Sequence, residues 1–437
     1  MPDQSGATDP SGATDTPGST DLPDATAAGA AEPTFADLTT LRVGGPIRRL
    51  VTVTTQRDLV DAAAHAWSDV EPWMALGGGS NLLVGDEGFD GTVIRIATKG
   101  IEVLPAAGPA DESAAEPDTD ADASTVHLRV QAGEVWDDLV AWTVKRGYSG
   151  IEALSGIPGC VGAAPVQNIG AYGQELESTL VAIEFLDEGA DVPRRMAADE
   201  LELGYRTSVL KQGLSGIVVS VELALHDTAA ERAVLGEALG QPVAYAQLAG
   251  ALHVDLGDRV PIARVRESVL ALRASKGMVL DPDDRDSVSA GSFFTNPIVG
   301  EHAARSLPGD APRWYLEPEV ADEVVPLASA LEESPLEQFL AHQASLEASA
   351  PVTDAAAAEP SVKLSAAWLI ERSGIGRGFA LPGSRAAISS KHTLALTNRG
   401  GASADEVAEL ARYVRNRVQA EFGILLHPEP VVVGLEL

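Results

Sequence analysis

The segment SGIPGCVGAAPVQNIGAYGQE, residues 155–175, decides how the rest of the chain is read. Five glycines and two prolines stand among small side chains, and its one charge, Glu175, comes at the end. Such a stretch cannot form a good helix or a central strand, because proline lacks the donor that both need and glycine weakens both. Without side-chain bulk, backbone can approach a flat ligand closely and turn its N–H groups toward it. A glycine-rich buried loop is the plainer alternative, but Gln167, Asn168 and Tyr172 would be odd company for it. The segment therefore reads as a ligand-binding loop.

Upstream, Gly77-Gly78-Gly79-Ser80-Asn81 lies between two apolar, strand-like stretches. A Rossmann fingerprint would need a helix next, whereas the LLVG that follows is strand-like. Three glycines with Ser and Asn can still bare successive backbone N–H groups as an anion-binding nest, and a tight hairpin turn is the equal alternative. The chain contains no G-x-x-x-x-G-K-[ST], so a P-loop is excluded.

Periodicity supplies the surrounding elements. Residues 47–54 alternate as a strand, and 56–67 form a helix with Leu59, Val60, Ala63 and Trp67 on one face. Residues 73–96 read as strand, glycine turn, strand, loop, strand. Helices are expected to end at Gly147, at Gly277 and at Gly423, the last opening with a Ser403/Glu406 capping box. VVVGLEL supplies a final strand. Strands and helices mix without regular βαβ repetition, which favours α+β over a doubly wound sheet. Residues 1–33 lack large apolar side chains almost entirely and read as a disordered acidic tail. An acidic loop over 105–124, between two strands, and an Ala/Glu-rich stretch over 317–360 read as insertions.

The chain of 437 residues carries 64 acidic and 31 basic side chains, a formal charge of -33. A surface so negative excludes nucleic acid as a partner. With one cysteine, Cys160, no intramolecular disulfide can form. The first residues lack the basic and apolar regions of a signal peptide, and no apolar run nears the roughly 20 residues that span a bilayer. The expectation is a cytoplasmic protein without membrane insertion. The eight histidines show no paired ligand spacing, so no metal is expected.

LGGGSNLLV at 76–84, the 155–175 segment and GYRTS at 204–208 together resemble the MurB reductases. The likeness continues in AGSFFTNP (290–297), KLSAAWLIE (363–371), KHTLALTN (391–398) and LLHPEPVVVG (425–434), in the family's order. It implies an α+β chain: a vanillyl-alcohol-oxidase/PCMH-type FAD-binding fold of two subdomains over 34–278, then a C-terminal MurB-type substrate-binding domain over 279–437. The implied activity is NADPH-dependent, FAD-mediated reduction of UDP-N-acetylglucosamine enolpyruvate to UDP-N-acetylmuramate for peptidoglycan, with no obligate protein partner. FAD would be bound noncovalently, its pyrophosphate at Gly77, Gly78, Gly79, Ser80 and Asn81. Its isoalloxazine would meet Gly156, Ile157, Pro158, Gly159, Gly162 and Ala163. Cys160 lies in that loop, and relatives in the wider fold attach flavin through Cys or His, but the nearer resemblance is to enzymes that do not.

Adding hydride to the outer vinyl carbon builds negative charge on the inner carbon and its carboxylate, so the protein must stabilise an enolate and deliver one proton. By the resemblance Arg206 and Glu429 stabilise the enolate and Ser292 gives the proton. The planar, always-charged fork of Arg206 suits a carboxylate. Glu429 must hold a proton to donate, which burial can arrange. A serine is a weak acid and serves only where the acceptor is carbanionic and water is excluded. Seen singly, an Arg is ordinarily a surface group, a Glu solvated, and a Ser after Gly a turn residue. Tyr172, Tyr205, Tyr245, Arg273, Lys276 and Asn296 match positions that bind substrate or NADPH. For Arg273 and Lys276, compensation of a helix C-terminus is the alternative. The sequence departs from many relatives in having His427 where they carry an acid, and Pro430 and Val431 where some carry Arg; both bear on how Glu429 is tuned. Two rivals stay open: a flavin oxidase of the same fold, and a silent protein that keeps FAD or UDP-sugar affinity.

Overall fold

The computed structural model describes residues 32–69, 71–105, 124–316 and 360–437. The tail expected over 1–33 and the insertions expected over 105–124 and 317–360 lie, save their edge residues, outside the described residues.

The first layer is a small parallel sheet. Strands β1 (Ile47–Val53), β2 (Trp73–Leu76), β3 (Leu82–Val84) and β4 (Phe89–Ile96) follow in order, with helix α1 (Gln56–Ser68) after β1. β1 and β2 pair in parallel on either side of β4, and β3 stands outside this sheet. Thr55 caps α1 by accepting the Asp58 N–H at 3.1 Å. Leu59, Ala62, Ala63 and Ala66 point inward at helical spacing, and the expected Val60 and Trp67 flank them on the same core.

The second layer is antiparallel. It holds β5 (Ile101–Val103), β6 (Thr125–Gln131), β7 (Leu180–Asp187), β8 (Arg194–Ala197) and the long β9 (Gly216–Asp227), in the order β8-β7-β9-β6-β5. Residues 105–124 thus fall between two paired strands, β5 and β6. Helix α2 (Trp136–Arg146) buries Trp136, Leu139 and Val140 against this sheet. It ends, as expected, where Gly147 turns left-handed (φ +85°). Helix α3 (Ala246–Leu252) packs on α4 (Ile262–Ser275), which lies beside α2; α4 closes at Ser275, just short of Gly277 (φ +68°).

The C-terminal part carries two three-stranded sheets. One joins β10 (Ser289–Ser292) to two strands described below, and the other joins β11 (Ile298–Gly300), β12 (Arg313–Tyr315) and β13 (Ser361–Leu364), with β13 central. Helix α5 (Ala366–Arg372) precedes β14 (Ala386–Ile388) and β15 (Ala395–Asn398), and β15 pairs with both β10 and β14. The 19-residue α6 (Ala404–Phe422) runs beneath them. Its capping box forms: Ser403 Oγ accepts the Glu406 N–H, and Glu406 accepts the Ser403 N–H at 2.8 Å.

The chain end returns to its beginning. β16 (Val431–Val433) pairs in parallel with β3, Val431 opposite Leu82. Leu41, Val43 and Leu83 enter the same hydrophobic core as α5, β14, β15 and α6. Asp86, beyond β3, accepts the first N–H groups of α6, from Ala404 at 2.9 Å and Asp405 at 3.0 Å. A carboxylate there satisfies orphan donors and opposes the helix dipole. Asp86→Ala is expected to lower stability by about 1 kcal/mol, read from the midpoint of a urea melt; an unchanged midpoint would remove this contact from the reckoning.

Candidate active site

Two glycine-rich loops meet back to back. The turn between β2 and β3 presses against residues 158–160: a Cβ on Gly78 would lie 2.7 Å from the Gly159 Cα. Gly79 takes φ +59°, and a Cβ there would meet the Leu38 carbonyl oxygen at 2.1 Å, so no larger residue fits. Ser80 Oγ donates to the Pro158 carbonyl at 2.9 Å and locks the loops together. From behind, Asp137 on α2 accepts the Gly156 N–H at 2.6 Å and forks onto Arg266 of α4 at 2.6 and 2.8 Å. These bonds and the Arg266 charge hold the Asp137 carboxyl below the usual range against its burial.

Between the loops and the C-terminal part lies a cavity of about 390 Å³. It is lined by Gly77, Gly78, Gly79, Ser80 and Asn81, by Ile157, Pro158, Gly159 and Ala163, and by Arg206, Arg273, Ser292 and Glu429. The sequence therefore named much of the wall. Two expected residues stand behind it. Gly156 serves Asp137, and Gly162 packs where a Cβ would reach 2.5 Å from that of Ala132. Cys160 also faces the cavity, and burial pushes its thiol up, with Lys99 and Arg95 offsetting this only in part. A thiol so held is a poor nucleophile.

Arg206 comes from the turn Gly204–Thr207, which is closed by reciprocal backbone bonds of 3.2 and 3.3 Å. Its Nη1 and Nη2 donate to the carbonyls of Asn168 (3.2 Å) and Gly170 (2.6 Å). Its Nε lies 3.4 Å from Glu429 Oε1, with about a fifth of each side chain exposed. Desolvation pushes the Glu429 carboxyl above the usual range, against the pull of Arg206 and Lys211. Ser292, at the end of β10, lines the cavity opposite, and its hydroxyl has no hydrogen-bond partner among the described residues. Lys211, which sequence reasoning missed, lines the cavity too and donates to the Glu429 carbonyl at 3.2 Å. Nothing in TSVLKQG sets it apart from a surface lysine; only the fold turns it inward.

The remaining expected residues flank the cavity in two groups. Tyr172 and Tyr245 meet edge to face at 5.8 Å, with Lys276 Nζ 5.4 Å from the Tyr172 ring and 2.9 Å from Gln247 Oε1. Tyr205 lies beside Asn296, whose side chain accepts the Ala366 N–H of α5 at 3.0 Å. Lys363, also unforeseen, sits 3.5 Å over the Tyr205 ring.

A flavin dinucleotide is flat at one end and doubly anionic in the middle, and the cavity suits both features. Its wall is largely glycine backbone, and a Cβ on Gly291, which also lines it, would meet no protein atom within 4 Å. Arg273 is half-buried, and its Nε, itself out of contact with solvent, has no partner among the described residues. Burial works against its charge, which Tyr172 and Asp137 offset in part. A guanidinium stays charged all the same, so its unpartnered Nε–H suits an anionic group.

Comparison with known proteins agrees. Residues 47–192 match the model of an FAD binding domain, and residues 282–433 that of the UDP-N-acetylenolpyruvoylglucosamine reductase C-terminal domain. A UDP-N-acetylenolpyruvoylglucosamine reductase of Leifsonia xyli subsp. xyli is 55% identical over 405 residues, 93% of this chain and 99% of its own. One of Salinispora arenicola is 41% identical over 414 residues, 93% of this chain and 96% of its own. Among solved structures, the UDP-N-acetylenolpyruvylglucosamine reductase of Thermus caldophilus superposes with a TM-score of 0.53 at 26% identity, covering 92% of this chain and 97% of its own.

Gly78→Ala forces the two loops apart. It is expected to cost about 1–3 kcal/mol and to strip flavin absorbance from the purified protein. Full absorbance with an unchanged melt would show that the loops can yield.

Proposed function

This chain belongs to the UDP-N-acetylenolpyruvoylglucosamine reductase family, and from that premise we propose how its residues carry the reaction. The chain is an FAD-dependent oxidoreductase that reduces UDP-N-acetylglucosamine enolpyruvate in peptidoglycan precursor synthesis. As parts of the same reading we take NADPH as the electron donor, the cytoplasm as the compartment, and a division near residue 278 into flavin and substrate domains. Among the described residues no helix is long and apolar enough to cross a membrane.

One observation carries the assignment of roles. Arg206, Ser292 and Glu429, far apart in the chain, line a single cavity with both glycine loops. Bound FAD supplies the two-electron chemistry that takes hydride from NADPH and gives it to the enolpyruvyl double bond. The protein supplies the rest. Arg206, anchored through Nη1 and Nη2, keeps N–H groups free for the substrate carboxylate and needs no reorganisation to meet it. Glu429, its carboxyl kept neutral to higher pH by burial, donates to the enolate oxygen as charge develops. Each such donor is worth about 3 kcal/mol of barrier. Ser292 gives its hydroxyl proton to the inner carbon and regains one from solvent afterwards. Lys211 adds a second positive charge beside Glu429. Tyr172, Tyr205, Tyr245, Lys276 and Asn296 hold the sugar nucleotide beyond the reacting end, with Arg273 in the cavity wall beside Tyr172.

Ser292→Ala is expected to leave flavin bleaching by NADPH intact and to slow recolouring by the enolpyruvyl substrate on the order of 100-fold or more, followed anaerobically by absorbance. Loss of the bleaching step instead would move Ser292 out of proton delivery. The raised Glu429 has a direct consequence for pH. Its acid form persists above the usual carboxylate range, so the substrate half-reaction is full at low pH and falls as pH rises through that raised value. Glu429→Gln, neutral throughout, is expected to lose that alkaline limb; a limb that survives in Glu429→Gln assigns it to another group.

A further inference from the structure

Among the described residues six non-glycine side chains stand on left-handed backbone: Arg42, Asn168, Tyr172, Glu202, Arg206 and His253. Three of them, Asn168, Tyr172 and Arg206, belong to two segments that face each other beside the cavity, 166–177 and 204–208. Each such conformation is strained for a residue with a Cβ and persists only where its surroundings over-determine it. At Asn168 (φ +43°, ψ +70°) the surroundings are plain.

Asn168 is 1% exposed and uses its whole side chain. Oδ1 accepts the Glu177 N–H at 3.1 Å, and Nδ2 donates to Glu177 Oε2 at 3.2 Å and to the Gly204 carbonyl at 3.3 Å. Gly204 opens the turn that carries Arg206. The Asn168 carbonyl meanwhile accepts Arg206 Nη1, and Gly170, two residues on, accepts Nη2. Next to this, Ser208 Oγ donates to the Val166 carbonyl at 2.6 Å. One residue thus grips Arg206 at both ends, the main chain of its turn and the fork of its guanidinium. Its left-handed backbone is what lets the amide and the carbonyl face the same turn, and asparagine tolerates that backbone better than other side chains.

We propose that Asn168 is the positioning residue for Arg206, setting where the guanidinium stands when the substrate carboxylate arrives. Asn168 itself does not line the cavity. The inference rests on the reading of Arg206 as the carboxylate-binding group. A shift of about 1 Å in such a group costs on the order of 100-fold in rate.

The test uses the full chain with FAD and compares wild type, Asn168→Gly, Arg206→Lys and the double variant in anaerobic stopped flow. Gly keeps the left-handed backbone without strain and removes only the side-chain bonds. Asn168→Gly is expected to keep FAD and to bleach with NADPH within about twofold of wild type, while recolouring by UDP-N-acetylglucosamine enolpyruvate slows on the order of 10- to 100-fold. The double variant is expected to recolour no more slowly than Arg206→Lys alone, because the side chain that Asn168 serves is already gone. Equal slowing of both half-reactions, or losses that multiply in the double variant, would overturn the proposal. If Asn168→Gly loses FAD, Asn168→Asp decides. It keeps the acceptor for Glu177 but loses the donor to Gly204, and should slow recolouring alone; loss of FAD there as well makes Asn168 a folding residue and overturns the proposal. Arg206→Lys that recolours at the wild-type rate would instead sink the reading of Arg206, a result distinct from either.

Discussion

The pairing of β16 with β3 is the constraint on which the site depends. It brings the last strand of the chain beside the strand that leaves the first glycine turn. Asn81, at the end of that turn, accepts the Val431 N–H at 3.0 Å and donates to both the Glu429 carbonyl (3.3 Å) and Gln167 Oε1 (2.6 Å). The Glu429 N–H is held in turn by the Phe293 carbonyl at 2.9 Å, next to Ser292. A single asparagine thus ties the first glycine turn, the second glycine loop and the Glu429 segment into one frame. Parallel pairing over so long a sequence separation carries a loop-closure cost that scales slowly with length, and the shared core of Leu41, Val43 and Leu83 with α6 offsets it.

Charge in the cavity runs against charge in the chain. The protein carries a formal charge of -33, yet the wall presents Arg206, Lys211 and Arg273 against Glu429. In a partly desolvated space such cations act more strongly than on the surface, where salt and water screen them. The acidic exterior repels the anionic substrates that the interior collects, so binding selectivity lies in the cavity and not in the long-range field. The same desolvation that strengthens the cations pushes the Glu429 carboxyl above its usual range, so under the proposed roles one physical cause would serve both halves of the enolate's stabilisation.

Rigidity here comes from backbone as much as from side chains. The glycine turn and the 158–160 loop touch main chain to main chain, Asp137 clamps Gly156 from α2, and Arg206 is held by two carbonyl oxygens. Carbonyl and amide partners have no rotamers to lose, which makes them good holders for groups that must stand ready before a substrate binds.

Much of this was legible in the amino-acid sequence because it depends on neighbours along the chain. Left-handed glycines end α2 and α6, the Ser403/Glu406 box starts α6, and the density of glycine and proline over 155–175 marks a loop whatever surrounds it. The resemblance carried by blocks such as GYRTS and HPEP added Arg206, Ser292 and Glu429, which local chemistry would have left as a surface arginine, a turn serine and a solvated glutamate. Other features are decided only by the tertiary structure. Lys211 points inward and Asp86 caps a helix some 318 residues away. Gly162 packs on Ala132, and Asn168 reaches across to the Arg206 turn. Burial and hydrogen-bond partnership between distant segments have no signature in local composition, since a lysine, an aspartate or an asparagine reads alike in solvent and at a site. Local conformation was the property of the sequence alone; which polar groups lose water, and to whom they turn, belonged to the fold.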